Sequence, residues 1–587
     1  MLLYNTGPGF RILPGHERTT PKHERTILLP MSDPNKPQTE LAGAPAKDEA
    51  PRESLIDRIR PFILIFLLLF LPTALFHAFT DYMYVYRVPA GTKVVGTSTI
   101  PQRSRLGEYI YGSVLIKKWH WDWLVPYLDY RHCIIPEGAE EIASRAFVES
   151  FIRDDLRSVR IPGSVKKIGD WAFQECDKLT DIVIPGSVEQ LGDGVFLGCR
   201  SLRRVVIPGS VKRIGNYMFQ DCTGLSEVMI PDGVKAIGYA AFSGCSVLRA
   251  IDIPDSVECI GDGAFHCCSS LEEIRLPAGM GRKLTEEEKQ RRLSAGSIIP
   301  SPTIGQETFS RCIGLQKVTL PDGIERIDVD AFRGCHLLCA INLPDSLTGI
   351  GDLAFYGCRS LTPLTIGRQV TDIGGGAFTG TRCDLTVPND HPAFRFENGI
   401  LYLKDEDGSK LISCISPPDG PCEIAQDVKM IGPHAFEGCD SITEIRLPNR
   451  LEEIGEAAFS WCTGLKHLEL PDSLWLIEPA AFMDCAGLAG TLAIPSNVTV
   501  IGGCAFSGCH GLTELTIPPS VKMIPSDAFS RCSNLKHVTL PDSVKNIGDG
   551  AFSDCESLNR ETVERLNAVN PKAFSRSLEF FEEELYD

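Results

Sequence analysis

A unit of 23 residues, I-P-x-S-V-x-x-I-G-x-x-A-F-x-x-C-x-x-L, recurs from about Ile135 almost to the C-terminus. A unit this short cannot bury its own apolar face, so successive copies must stack into one elongated array with a continuous core. The phenylalanines keep the count. Phe173, Phe196, Phe219, Phe242 and Phe265 are 23 residues apart, as are Phe309, Phe332, Phe355 and Phe378. The later series Phe436, Phe459, Phe482, Phe506, Phe529 and Phe552 slips once, by one residue. With irregular copies at Phe147 and Phe574, 17 phenylalanines stand in register.

Three residues after most of them comes a cysteine, from Cys176 and Cys199 through to Cys532 and Cys555, and these account for 14 of the 22 cysteines. A small, soft side chain that is readily buried suits a turn repeated once per coil. Metal binding would bring close C-x-x-C pairs or histidines at ligand spacing, and the sequence has neither; Cys267 and Cys268 are a lone adjacent pair. Neighbouring coils bring these thiols close together, yet close packing need not supply disulfide geometry, so the cysteine count is a poor marker of compartment.

After each such cysteine the chain reads L-x-x-I-x-I-P, as in Leu179 to Pro185. Alternation points Ile182 and Ile184 inward from a short strand and leaves Val183 outside. Proline, lacking an N–H, ends the strand. The stretch Val188 to Leu191 supplies the opposite wall and Phe196 the filling. Each coil is then a flattened loop paired in parallel with the next, with open edges only at the two ends. At about 4.8 Å per coil, the array would extend on the order of 80 Å.

The consensus, visible almost letter by letter in Ile207-Pro208-Gly209-Ser210-Val211 through Phe219 and Cys222, resembles that of the BspA-like, Treponema-type leucine-rich-repeat proteins over roughly residues 132 to 575. The resemblance implies a β-rich leucine-rich-repeat solenoid of about 23-residue coils. It also implies a binding scaffold displayed on the surfaces of bacteria and some protists, used against matrix proteins and other cells, with no shared catalytic residues to carry over. The repeats are assigned to residues 132–280, 301–383 and 424–560.

Two interruptions break the rhythm. Residues 281–300 carry Gly281-Arg282-Lys283 and a charged, helix-prone run from Leu284 to Leu293. This run reads as a solvated bulge or as a partner-contacting excursion. Residues 384–423 hold Phe394-Arg395-Phe396, then Ile400 to Leu403, then the acidic turn Lys404-Asp405-Glu406-Asp407-Gly408, which together predict a β-hairpin. The resemblance implies a similar hairpin module in such arrays. Asp405 and Asp407 alone are too few for a calcium loop.

The N-terminal part has a different chemistry. Residues 1–57, rich in Pro, Gly, Thr and charge, are expected to be a disordered cytoplasmic tail, with Met31 an alternative start. Pro61 to Phe79 gives 19 residues without formal charge, which predicts a transmembrane helix within 58–80. Arg52, Arg58 and Arg60 before it and Asp81 after it place the N-terminus in the cytoplasm and the repeats in the extracellular or periplasmic space. A buried soluble helix and a cleaved signal peptide are the competing readings. Residues 81–131, with alternating Tyr82, Tyr84, Tyr86 and Trp119, Trp121, Trp123, read as a β-rich cap over the first coil. Residues 561–587 read as a C-terminal cap followed by an acidic tail.

Enzyme chemistry finds no footing, since no G-x-S-x-G elbow, H-E-x-x-H pair or phosphate loop is present. The histidines, among them His434, His467, His510 and His537, fall at unrelated repeat positions and read as exposed side chains. No cofactor or metal is expected. A net charge of −18 argues against nucleic acid, whose recognition calls for a positive footprint. The outward strand positions remain as a candidate binding strip of mixed sign. Arg203 and Arg204 are followed coil by coil by Glu227, by Arg249 and Asp252, and by Glu272, Glu273 and Arg275. Lys466, His467 and Glu469, then Lys536 and His537, continue it. The same pattern fits a merely solvated strand face. The expectation is a membrane-anchored, surface-displayed repeat protein that binds a protein or matrix component in an adhesin-like way. The alternatives are an envelope stalk, and a signalling or enzymatic protein whose activity lies in 81–131.

Overall fold

A computed structural model describes residues 85–96, 99, 131–148, 150, 153–294 and 299–575, all within one unit spanning Leu67–Asp587. Each coil contributes two short strands that pair in parallel with those of its neighbours, forming two files. Val85–Arg87, His132–Ile134, Ser158–Arg160 and Asp181–Val183 begin the first file. Val94–Val95, Glu141–Ile142, Lys167–Ile168 and Gln190–Leu191 begin the second. The partners are one repeat apart, so every inward residue meets its own counterpart: Val205 lies opposite Val228, and both are buried. The repeat thus sets the strand register directly, because any slip would turn the apolar positions out to water.

Between the two files the phenylalanines stack. Ring centroids lie 4.7 Å apart for Phe147 and Phe173 and 5.7 Å for Phe173 and Phe196, with the later pairs between these limits. Offset stacking of this kind adds about 0.5–1.5 kcal/mol per pair beyond burial. The turn that carries each phenylalanine is tight, and the residue two before it adopts left-handed backbone, as at Trp171 and Tyr217 (φ 59° and 55°). Glycine stands there in other coils, such as Gly194, where the absent Cβ also makes room for the Trp171 ring.

Three side-chain ladders satisfy backbone groups that the turns leave open. The cysteine of one coil donates its thiol to the phenylalanine carbonyl of the preceding coil, as from Cys199 to Phe173 at 3.1 Å and from Cys485 to Phe459 at 3.0 Å. The serine of P-x-S-V donates to a carbonyl in the preceding coil, as from Ser187 to Val165 at 2.8 Å and from Ser256 to Val234 at 2.8 Å. The aspartate or asparagine after I-G accepts a backbone N–H from the next coil: Asp170 from Asp193 at 2.9 Å, and Asp193 from Asn216 at 2.8 Å. The consensus letters are therefore inter-coil hydrogen bonds repeated along the array. All the described cysteines are free thiols. Burial pushes the Cys199 thiol up, and that of Cys485 to about 12, which keeps these two protonated donors.

The charged interruption forms the helix Glu286–Ser294, lying on the second file. Its Arg292 reaches Glu258, which Lys235 also binds at 3.2 Å. The later interruption is a three-stranded antiparallel meander. Phe394–Glu397 pairs with Ile400–Leu403 across the turn Asn398-Gly399, and Ile400–Leu403 pairs in turn with Ser409–Cys414 across the acidic loop. Ser409–Cys414 then continues in parallel with Val428–Ile431, so the meander's last strand rejoins the array. At that junction Ser413 and Thr379 share a buried hydroxyl hydrogen bond at 2.7 Å. The array ends at the helix Arg560–Val569, whose first turn is capped by the Asn559 side chain accepting from the Thr562 N–H.

The expected membrane anchor requires correction. No helix among the described residues is long and apolar enough to cross a membrane. The segment 61–79 lies outside the described residues, as do the tail 1–57, the tryptophans of 119–123 and the acidic end 576–587. Among the described residues the fold is the solenoid alone, with no transmembrane helix. Single-pass topology, the membrane as a partner and display of the repeats outside the cell find no support among the described residues. At the N-terminal end of the array, where a cap is expected, residues 85–87 and 94–95 supply the strands that pair with His132–Ile134 and Glu141–Ile142.

Candidate functional site

The two long faces of a coil differ in how freely their side chains can contact a partner. On the phenylalanine side, the turns spend their side chains on the cysteine and aspartate ladders. On the first file, the strand itself satisfies the backbone, so its outward side chains have no structural duty beyond solubility. That file carries every residue singled out by sequence, and all thirteen are exposed.

Their arrangement follows the register. Arg204 stands opposite Glu227 and pairs with it at 3.2 Å, while Arg203 lies beside Arg204 on the same coil. Arg249 reaches Glu272 at 3.3 Å, Glu273 faces Lys317 at 3.9 Å, and Arg275 binds Asp255 at 2.8 Å. Asp255 is held below the usual carboxylate range, first by the Ala278 backbone N–H and then by Arg275. Asp252 bridges to Met229. These residues form one run across consecutive coils. Lys466, His467, Glu469, Lys536 and His537 lie on the continuation of the strand file beyond the meander, with His467 bridging to Glu444 and His537 opposite Glu514. Exposed pairs of this kind contribute about 0–1 kcal/mol to stability. They define a surface pattern far more than they hold the fold.

Both the charge of the strip and the outward positions of Val183, Val206 and Met229 are legible in the sequence, and the structure adds how far these apolar side chains are exposed. Val183, Val206 and Met229 occupy the same outward position in successive coils and are 77%, 48% and 48% exposed. Their spacing is 23 residues. Only the stacked register makes them a stripe. Several histidines also depart from expectation: His391 is buried, and His434 is half-buried with its Nδ1 2.6 Å from the Glu437 carboxylate, whereas His467, His510 and His537 are exposed. Among the described residues no group of three or more His, Cys, Asp or Glu side chains is placed to hold a metal ion.

The sequence model of the family described as "BspA type Leucine rich repeat region (6 copies)" matches residues 128–246, 190–285, 300–390, 421–491 and 477–581, well over half of the chain. Comparison with curated proteins finds no match. Among solved structures, a leucine-rich repeat protein from Bacteroides ovatus is 27% identical, covering 68% of this chain and 85% of its own, with a TM-score of 0.34. A leucine rich cell surface protein from Faecalibacterium prausnitzii is 28% identical, covering 65% of this chain and 87% of its own, with a TM-score of 0.43. The pneumococcal vaccine antigen PcpA is 20% identical, covering 62% of this chain and 86% of its own, with a TM-score of 0.37.

Proposed function

This chain belongs to the BspA-type leucine-rich-repeat family, and from that premise we propose that it is a protein-binding scaffold working through the outward side chains of its first strand file. The observation that carries this reading is the division of labour between faces. Ladder hydrogen bonds engage the turn side chains, while the first file presents a continuous exposed row from Arg203 through Arg275 and again from Lys466 through His537. Such a row offers many weak contacts in fixed register, which suits recognition of a broad protein surface. Arginine, histidine and carboxylate side chains set specificity, and the strands beneath keep them preorganised. Catalysis has no part in this reading.

Site-specific photocrosslinking in the native cell tests it. A photoreactive residue at Arg203 or Lys466, on the first file, is expected to give a discrete protein adduct. The same residue at Lys522 or Lys545, next to the second-file strands, is expected to give none. Adducts from the second file alone would sink the assignment of the face.

A further inference from the structure

We propose that the N-terminal half of the first file is built for an acidic protein segment carrying aliphatic or aromatic side chains, which docks across the strands on the stripe Val183, Val206 and Met229. This rests on the scaffold reading above and deepens it by naming the partner's chemistry.

The apolar half of the argument is the stripe. Three large aliphatic side chains stand outward in three consecutive coils, about 4.8 Å apart, on a rigid parallel sheet. Single exposed apolar residues are ordinary, but an aligned file at one register position marks a contact surface. The core beneath does not need them, since Ile182, Val205 and Val228 already fill the inward positions and are buried.

The polar half is charge. In the four coils from residue 157 to 229, the outward strand positions hold Arg157, Arg160, Arg203 and Arg204 against Asp181 and Glu227. This net positive patch sits on a chain of net charge −18. Arg204 is taken by Glu227, whereas Arg157, Arg160 and Arg203 make no ion pair among the described residues. Arg160 is the register partner of Val183, so a cation borders the stripe at its N-terminal end. Every one of these cations is arginine, whose planar donor fork matches carboxylates and which is enriched at interface hot spots. An apolar centre rimmed by unpaired arginines is complementary to a partner whose apolar residues are flanked by Asp and Glu, and such a patch would repel a basic partner.

The test is selection of a random peptide library, displayed on phage, against the full chain at low salt. The enriched peptides are expected to be acidic with interspersed Leu, Ile, Phe or Trp. Affinity for the full chain should fall at least about tenfold in Val206→Asp. It should fall similarly in the triple variant Arg157→Glu, Arg160→Glu, Arg203→Glu, and fall as salt rises. Because all these positions are exposed, circular dichroism and the unfolding midpoint should stay at the parent values. Enrichment of basic or uncharged peptides, or of none, overturns the proposal, as does an acidic pool insensitive to both variants. If that pool instead loses affinity on His467→Ala and Lys466→Glu, the partner chemistry proposed for the stripe fails while the scaffold reading survives. A pool insensitive to every first-file change defeats both.

Discussion

At the scale of single residues, the consensus separates into groups with different physical duties. Ile, Val, Leu and Phe fill the core, while Ser, Asp and Cys tie each coil to the preceding one or the next through backbone carbonyls and N–H groups. The duty of cysteine as a packed turn residue follows from its spacing alone. Its thiol donation to a particular carbonyl does not, because that bond joins residues 26 apart. His434 shows a second limit. It stands two residues before Phe436, at the left-handed turn position that other residues fill in other coils, and tertiary packing sets it against Glu437. Burial works to lower the imidazole pKa, but the hydrogen bond and charge of Glu437 outweigh it, leaving the pKa raised. A raised folded-state pKa means stability that is fully present below about 6.5, the ordinary value, and is lost as pH climbs through the folded-state value. His434→Asn, which tolerates the left-handed backbone at this position (φ 54°), should therefore cost about 1 kcal/mol at pH 5.5 and distinctly less at pH 9. Urea unfolding at the two pH values measures it, and an equal loss at both would exclude the charged pair as the cause.

At the scale of elements, the insertion helix Glu286–Ser294 is the instructive case. Its charged composition reads as helix, and the structure agrees, but where it lies could not be read from the sequence. At the matching position Lys212, two coils earlier, is exposed and Lys235, on the preceding coil, is half-buried, whereas Glu258 is only 3% exposed. Burial works to raise the Glu258 carboxyl pKa, and the hydrogen bonds from Arg292 and Lys235 more than reverse that. Removing a carboxylate that two cations share takes away the contact of Arg292 with the array at Glu258. In Glu258→Ala the helix should therefore leave the second file while the coils stay stacked. Limited trypsin digestion should cut after Arg291 or Arg292 at least about tenfold faster, with a stability loss of about 1–2 kcal/mol. Unchanged cleavage would show that other contacts hold the helix. The meander repeats the lesson. Its alternating runs and Gly-containing turns are plain in the sequence, but the return of Ser409–Cys414 into parallel pairing with Val428–Ile431 depends on Ser413 meeting Thr379 within the core.

At the scale of the whole molecule, the stability of a repeat array is close to a sum of coil terms and nearest-neighbour interfaces, so its natural unit of change is the coil. The sequence offers a clean excision. Removing residues 186–208 joins Pro185 to Gly209 and restores the reading Ile-Pro-Gly-Ser-Val without a scar. In the shortened chain Phe173 would stack on Phe219, and Asp170 would accept the Asn216 N–H that Asp193 accepts now. We expect this variant to fold with its β-sheet signature intact and an unfolding midpoint lowered by only a few degrees, since one interface of many is lost. Removing residues 186–197 should instead break the register. One coil is left without its second-file strand Gln190–Leu191 and without Phe196, the phenylalanine stack is interrupted, and the chain should aggregate or unfold well below the parent midpoint. Thermal unfolding followed by circular dichroism compares the two. Equal damage from both deletions would mean that the coils are not interchangeable and that the one-dimensional description fails. The full-coil variant also separates a spacer from a scaffold. It shortens the array by one coil, about 4.8 Å, yet it removes Arg203, Arg204 and Val206 from the first file. A function that depends on length would change little, whereas one that depends on that face would be lost.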